Sequence, residues 1–195
     1  LEQGIPAIIF EKMPEETSHG AAISLSLNAL RLLDRLDIYV DLKDQSFIHS
    51  AASIQGPHRE ISSFQTPEVL TTRRQTLMSL LYSRYINLGG EIFHHHDLAS
   101  FDAVKCEVTF TNKNKYTLKH LAACDGIRSS IRDTFFAANQ DPKYSGYSAW
   151  RGIGQSSLQK IHFALGPDSH IVSYPINKEG DVSFVAVRRE DYQFK

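Results

Sequence analysis

The period of the hydrophobic pattern changes several times along this 195-residue chain. Short runs rich in β-branched and aromatic residues, such as 7–10, alternate with stretches at 26–38 and 73–90 in which apolar residues recur every three or four positions. Side chains repeat every two residues along a strand and every 3.6 along a helix, so this succession predicts strands interleaved with helices. We therefore expect an α/β protein.

Glycines and polar residues at the ends of segments make several of these predictions more specific. The segment "RRQTLMSLLYSRYINLGG" (73–90) ends on two glycines, which is typical of a helix C-terminus. Short strands are expected within 47–64 and at 69–72. The alternating segment 107–126 predicts a hairpin and then a final buried strand at 121–124 that ends on Asp125, with a helix following at 128–136. The remaining residues, 143–195, have the pattern of a β-rich sheet.

Charge and cysteine content narrow the range of partners. The formal net charge of −1 offers no electrostatic attraction to nucleic acid or to an anionic membrane. No apolar run approaches the roughly 18 residues that a membrane-spanning helix needs. The two cysteines lack metal-ligand or redox-motif spacing, so we expect reduced thiols in a cytoplasmic protein.

An acidic residue follows the first predicted strand, because "AIIF" (7–10) runs directly into Glu11. An acid at this place in a dinucleotide-binding unit accepts hydrogen bonds from a ribose hydroxyl. For Glu11 and Lys12 alone, a solvated strand end is the better explanation. The glycine-rich phosphate loop that should precede the acid by about 20 residues is absent from this chain, and "GIGQSS" (152–157) lacks the third glycine and opens no helix.

Two further predicted strand ends carry polar residues. Arg73 and Arg74 stand where a strand becomes a helix, and a guanidinium there can bind a phosphate or a flavin. A solvated first-turn arginine is an equally good reading, although a helix N-terminus disfavours positive charge. Asp125-Gly126 places an acceptor and a missing side chain at the third strand end, with Ser129 or Ser130 able to cap the following helix. A plain turn is the simpler reading of that pair.

The histidines give little support for a metal site. His94, His95 and His96 are consecutive, and on an extended strand they would point to alternate faces, whereas zinc needs converging ligands. We expect no metal site there. His19, His49 and His58 are scattered and are expected on the surface or in loops.

Taken in order, five segments resemble the flavin-dependent aromatic hydroxylases, the group A FAD monooxygenases similar to p-hydroxybenzoate and salicylate hydroxylase. The segment "IPAIIFEK" resembles their second strand with its ribose-binding acid, and "GAAISLSLNALRLLDRLDI" resembles their G-x-G/A-I-x-L-x-x-N-A segment. "TTRRQTLMSLL" is similar to their R-x-x-L segment, with Arg74 in register. "ACDGIRSSIR" is similar to their G-A-D-G-x-x-S-x-x-R motif, and "GYSAWRGI" with "HIVSYPI" resembles the start of their substrate-domain sheet.

The resemblance implies a fold, a cofactor and a set of binding residues. It implies a Rossmann-like FAD-binding layer, at 1–46 and 67–142, interleaved with a β-rich substrate-domain sheet at 47–66 and 143–195. It implies FAD as cofactor, NADH or NADPH as reductant, and a small, aromatic or similar substrate. The cofactor-binding residues that it implies are Glu11, Lys12, Gly20, Ala21, Ala22, Arg74, Leu98, Asp125 and Gly126. No catalytic side chain is implied, because this class activates oxygen on the flavin.

Two family motifs are absent from this chain, namely the N-terminal glycine-rich loop and the later G-D-A-x-H segment. The chain also begins with Leu1 rather than Met. We therefore expect an interior fragment or a shortened homologue of an FAD-dependent monooxygenase. A non-catalytic, flavoprotein-like module and another kind of FAD-dependent oxidoreductase remain alternatives.

Overall fold

A computed structural model describes residues 1–14, 20–56, 58–136 and 142–191. The described residues form two compact units. The first unit comprises Gln3–Thr17 and Gly89–Ser145, and the second comprises Ser18–Leu88 and Gly146–Lys195. The elements, in chain order, are β1 (Ile8–Phe10), β2 (Ala22–Ser26), α1 (Leu27–Arg35), α2 (Tyr39–Asp44), β3 (Phe47–Gln55), β4 (Glu60–Arg73), α3 (Arg74–Asn87), β5 (Glu91–Phe93), β6 (Leu98–Asp102), β7 (Glu107–Phe110), β8 (Lys115–Thr117), α4 (Ser130–Phe135), β9 (Tyr147–Gln155), β10 (Ile161–Leu165), β11 (Ser169–Pro175) and β12 (Asp181–Arg189).

The first unit contains two small sheets and a cluster of aromatic rings. Strands β1 and β5 pair in parallel, and β6, β7 and β8 form an antiparallel sheet. Rings from both sheets and from the segment between them pack with centroids 4.7–6.0 Å apart. Large rings bury extensive apolar area, so this cluster is the main packing of the unit. Its members are Phe10, Phe93, His96, Phe110 and Tyr116.

The second unit is built on a seven-stranded sheet with the order β2-β4-β3-β10-β11-β12-β9. Neighbouring strands are antiparallel except β3 and β10, which run in parallel with Ala52 opposite Ile161. The strand pattern in the last part of the sequence is therefore confirmed, because β9 to β12 all belong to this sheet. A sheet of this size buries one face against other elements of the fold.

Helices α1, α2 and α3 contribute to one leucine-rich core in the second unit. The apolar repeat of α1 buries Leu30 and Leu33, and that of α3 buries Leu77. These side chains pack with Leu25 of β2 and Leu70 of β4. The predicted helix at 73–90 is confirmed, and Gly89, at φ +80°, adopts the left-handed conformation typical of the position after a helix.

The strand expected at 69–72 is confirmed as the end of the 14-residue β4. Two other local expectations need correction. The helix expected over 26–38 ends at Arg35, and Asp37, at φ +57°, separates it from α2. Residues 121–124 form no strand and are exposed, because no described strand lies beside them to complete a ladder of hydrogen bonds.

Within the described ranges, no helix is both long and apolar enough to cross a bilayer. The assignment of 1–46 and 67–142 to one layer, and of 47–66 and 143–195 to another, stays a prediction.

Candidate cofactor site

The second unit brings Gly20, Ala21, Ala22 and Arg74 together at one corner. Ala22 begins β2 and pairs with Arg73, the last residue of β4, and Arg74 is the first residue of α3. Gly20 has φ +133°, a conformation that L side chains rarely adopt. A Cβ atom added to Gly20 would lie 2.8 Å from Arg74 Cδ, so the glycine also leaves room for the arginine.

This corner has a positive electrostatic character. The first four N–H groups of an α-helix have no partner inside the helix, and the helix dipole adds partial positive charge there. Two arginines stand at this end of α3, and no acidic residue lies in its first turn. Arg74 is exposed. The arrangement suits an anion such as a pyrophosphate when the repulsion between Arg73 and Arg74 is offset.

A carboxylate from a distant strand offsets one of these charges. Asp181 Oδ2, at the start of β12, accepts a hydrogen bond from Arg73 Nη2 at 2.6 Å. Asn177 Nδ2 and Gln155 Nε2 each donate to the same carboxylate at 2.7 Å. The Arg73 guanidinium, assisted by these amides, outweighs partial burial and lowers the pKa of Asp181 below its ordinary value. Arg73 is therefore engaged within the protein, next to the exposed Arg74.

In the first unit, Glu11 continues the edge of the small parallel sheet. Its backbone N–H donates to Phe93 O at 2.9 Å, and its carbonyl accepts from His96 N at 2.9 Å. Its carboxylate Oε1 accepts from Met13 N at 2.9 Å. The side chain is half-buried, and the neighbouring Lys12 is exposed. A carboxylate at a strand end is a suitable acceptor for a ribose hydroxyl.

Leu98 lies at the start of β6, where it is half-buried and opposite Phe110 of β7. Its neighbour Asp97 presents a carbonyl that accepts a hydrogen bond from Thr111 N at 2.8 Å. Leu98 can therefore offer a ligand only apolar contact or its own backbone groups.

The Asp125-Gly126 pair lies in an exposed loop before α4, not at the end of a buried strand. Asp125 Oδ2 accepts a hydrogen bond from Ile131 N at 3.4 Å. Partial burial raises the pKa of Asp125, but hydrogen bonds from Ser129 and from helix amides outweigh it, so that the pKa falls below its ordinary value. Gly126 has φ +83° and no neighbour within 4 Å of an added Cβ, so it serves backbone conformation rather than a close approach.

Two histidine expectations also need correction. His94 and His95 lie in a bend after β5 rather than on an extended strand, and His95 has φ +56°. Among the described residues, no group of three or more His, Cys, Asp and Glu side chains is placed to hold a metal ion. His49, expected at the surface, is only 1% exposed. Its burial is possible because Nε2 lies 2.7 Å from Thr71 Oγ1 and 3.1 Å from Pro175 O.

Among the predicted residues, the structure thus brings Gly20 to Ala22 and Arg74 into one corner. It places Glu11, Lys12, Leu98, Asp125 and Gly126 in the first unit. Sequence reasoning missed Asp181, because nothing in its local sequence pairs it with an arginine more than one hundred residues earlier. The cofactor-binding roles of the residues predicted from the sequence stay predictions.

A protein-family model described as "FAD binding domain" matches residues 1–192. The chain belongs to the FAD binding domain family. This family member is 26% identical over 208 residues to the 3-amino-4-hydroxybenzoate 2-monooxygenase of Streptomyces cremeus, and the match covers 95% of the chain and 51% of that protein. It is 30% identical over 139 residues to Monooxygenase 1 of Arabidopsis thaliana, covering 67% of the chain and 34% of that protein.

Solved structures share the fold of this FAD binding domain chain. The 2-methyl-3-hydroxypyridine-5-carboxylic acid oxygenase matches with a TM-score of 0.77 at 20% identity, covering 97% of this chain and 54% of the other. The 2,6-dihydroxypyridine-3-hydroxylase of Arthrobacter nicotinovorans matches with a TM-score of 0.79 at 18% identity, covering 95% and 51%. The predicted mixture of α/β layer and β-rich sheet is therefore confirmed. The chain spans about half the length of the curated relatives that it matches over most of its own length.

Proposed function

We propose that the protein carrying this chain is an FAD-dependent monooxygenase that hydroxylates a small aromatic or similar organic substrate. The reaction would consume O2 and NADH or NADPH, insert one oxygen atom into a C–H bond of the substrate, and reduce the other to water. The single observation that carries the proposal is the corner at the start of α3, where Arg74 packs on Gly20 within a chain matched by an FAD binding family over 1–192. A cytoplasmic location, expected from the cysteine pattern, belongs to the same proposal.

The residues of the corner fit the chemistry of FAD. A pyrophosphate carries negative charge, and the corner offers a guanidinium, the N–H groups of the first turn of α3 and a glycine that leaves space beside Arg74. In this proposal Arg74 binds the pyrophosphate or the ribityl chain, and Gly20 to Ala22 lie against the isoalloxazine. The flavin, when bound, supplies hydride acceptance from NADH or NADPH and the activation of O2.

The predicted cofactor-binding residues of the first unit have their own roles in the proposal. Glu11 is assigned to the ribose, since its carboxylate directly follows β1 and accepts a hydrogen bond from Met13 N, with Lys12 beside it. Leu98 is assigned to the adenine, through its backbone. Asp125 and Gly126 are assigned to the cofactor groove, and hydrogen bonds from Ser129 and from helix amides lower the pKa of Asp125 below its ordinary value.

The names of the relatives support an aromatic substrate. The Streptomyces cremeus enzyme is named for an amino-hydroxybenzoate, and the Arthrobacter nicotinovorans enzyme for a dihydroxypyridine. Both names describe electron-rich rings that already carry a hydroxyl group.

A flavin titration with matched arginine variants tests the cofactor part. We expect one FAD per chain, with a perturbed visible absorption spectrum and quenched fluorescence. Arg74→Gln should weaken binding by roughly 10–100-fold, because a hydrogen bond to a charged group contributes about 1.5–3 kcal/mol. Arg31→Gln is the control, since Arg31 is exposed on α1 of the same unit. Equal affinities for the two variants would remove the role of Arg74.

Product analysis tests the reaction. The flavin-loaded protein is incubated with NADH or NADPH, 18O2 and a panel of hydroxylated benzoates and pyridines. The product should be 18 mass units heavier than its substrate, because one 18O atom is inserted. Flavin binding without oxygen insertion would favour another FAD-dependent oxidoreductase, and no flavin binding would favour a non-catalytic module.

A further inference from the structure

The β11–β12 turn (residues 176–180) is joined to the end of β4 by two sets of hydrogen bonds. Before the turn, at the end of β11, Pro175 O accepts a hydrogen bond from Thr71 Oγ1 at 2.6 Å, and His49 Nε2 lies 3.1 Å from the same carbonyl. A carbonyl cannot donate, so His49 contributes an N–H there. After the turn, Arg73 Nη2 donates to Asp181 Oδ2 at 2.6 Å. Residues 71 and 73 of β4 are therefore both held by the ends of one turn.

The Asp181 carboxylate has a fixed direction within this connection. Asn177 Oδ1 accepts hydrogen bonds from the backbone N–H of Glu179 at 3.2 Å and of Asp181 at 2.9 Å, so the Asn177 side chain is anchored by the turn itself. Asn177 then donates to Asp181, as does Gln155 from β9. With its side chain 14% exposed, Asp181 can neither rotate freely nor exchange these donors for water at low cost.

Through its bond to Arg73, Asp181 holds the end of β4, which forms part of the candidate cofactor corner. Arg73 pairs with Ala22 in the β2–β4 ladder and directly precedes Arg74. Two consecutive cations at a helix N-terminus repel each other and the helix dipole. A carboxylate bonded to Arg73 relieves this repulsion and leaves Arg74 in contact with Gly20.

We propose that Asp181 is a positioning residue for the cofactor corner, acting through Arg73 to hold the end of β4, the start of β2 and the first turn of α3 in their binding geometry. The part of the inference that concerns FAD rests on the proposed function. The part that concerns the conformation of the corner does not.

Hydrogen exchange on the ligand-free protein tests the conformational part. Asp181→Asn keeps the shape of the side chain and removes its charge. We expect at least a tenfold faster amide exchange at residues 22–26 and 75–78, with other helices of the unit unchanged. Asp181→Glu, which restores the charge, should recover much of the protection. Glu60→Gln is the matched control, because Glu60 pairs with Lys160 at 2.7 Å in the same unit, away from the corner, and should leave these amides unchanged.

FAD affinity tests the functional part. Asp181→Asn should raise the dissociation constant by roughly 3–10-fold, whereas Glu60→Gln should not change it. In the Arg73→Gln background, Asp181→Asn should add no further loss, because its partner is already absent. If Asp181→Asn alone does not fold, the test is carried by comparing Arg73→Gln with the double variant that also carries Asp181→Asn.

Two results would overturn the inference. One is faster exchange spread evenly over the unit, in step with a loss of global stability, which would make Asp181 a general stabilising residue. The other is a wild-type FAD affinity in Asp181→Asn. Faster exchange confined to the corner in a protein that binds no FAD at all would uphold the positioning of the corner and refute the proposed function instead.

Discussion

At the scale of single residues, the contact between Gly20 and Arg74 shows how a missing side chain shapes the candidate site. Gly20 is needed twice, once for its φ of +133° and once because a Cβ would lie 2.8 Å from Arg74 Cδ. Gly146, in the same unit, is needed only for its φ of +83°, since nothing lies within 4 Å of an added Cβ. The two glycines therefore form a natural pair for comparison.

We predict that Gly20→Ala reduces both stability and flavin affinity. A side chain in a sparsely populated backbone region costs about 1–3 kcal/mol, and the added methyl group must also displace Arg74. Gly146→Ala, in the same unit, should cost a similar backbone strain without moving Arg74. Urea unfolding gives the free energies of unfolding, and flavin titration gives the affinities. The prediction fails if Gly146→Ala weakens flavin binding as much as Gly20→Ala does.

The predictability of these residues follows from how far away their partners lie. Gly20 and Arg74 stood out because their segments carry local patterns, a glycine before a strand and an arginine before a helix. His49 and Asp181 did not, because their partners are remote in the sequence. The hydrogen bonds of His49 join it to residue 175, and those of Asp181 join it to residue 73. Burial of a polar side chain depends on such partners, which no local pattern reports.

At the scale of elements, strong periodicity was a reliable guide and isolated apolar runs were not. Helix α3 and strands β9 to β12 lie where the hydrophobic pattern predicted them. The small apolar run at 121–124 matched a buried strand equally well, yet it is exposed and irregular. A strand is stable only beside another strand, so the run alone could not predict one.

Helix α4 allows a direct test of a cap that the sequence left undecided between two serines. The Ser129 hydroxyl accepts a hydrogen bond from Arg132 N at 3.0 Å, and Ser130 is the first helical residue. We predict that Ser129→Ala destabilises α4 by about 1 kcal/mol and speeds exchange of the Arg132 amide. Ser130→Ala should have a much smaller effect on that amide. Identical exchange rates in the two variants would show that the Ser129 hydroxyl does not cap the helix.

At the scale of the whole molecule, the described residues divide into two units, and the chain passes between them more than once. The aromatic cluster stabilises the first unit, and the leucine-rich core stabilises the second. The order of strand-like and helical segments predicted this mixture of layers. It did not predict that β3 would pair with β10, since parallel partners carry no local signal.

The response of stability to pH is a property of the whole molecule, and two histidines with lowered pKa values set its direction near neutrality. Burial lowers the pKa of His49, opposed by its hydrogen bond to Pro175, and burial also lowers the pKa of His162. The unfolded chain binds these protons near pH 6.5, so it holds more protons than the folded state just below that pH. We therefore predict that the free energy of unfolding falls as the pH drops from 7.5 to 5.5.

The carboxylates with lowered pKa values do not change the stability between pH 5.5 and 7.5. The pKa values of Glu60, Asp102, Asp125 and Asp181 are lowered in the folded state, so their stabilising contributions are complete above about pH 5 and are lost only in stronger acid. Urea unfolding at the two pH values should show a smaller difference for His49→Gln than for the wild type, because the contribution of His49 is removed. An undiminished difference would mean that the His49 proton is bound equally in both states.

The parallel pairing of β3 with β10 has a consequence for the order in which the protein takes shape during synthesis. The hairpin of β3 and β4 leaves the ribosome early, but the neighbour of its open edge is encoded after all of residues 89–145. Until then, that edge presents unpaired backbone groups to other chains, which is the usual start of aggregation. Slow translation across 89–145, or too little chaperone, should therefore lower the yield of native protein more than the final stability would suggest.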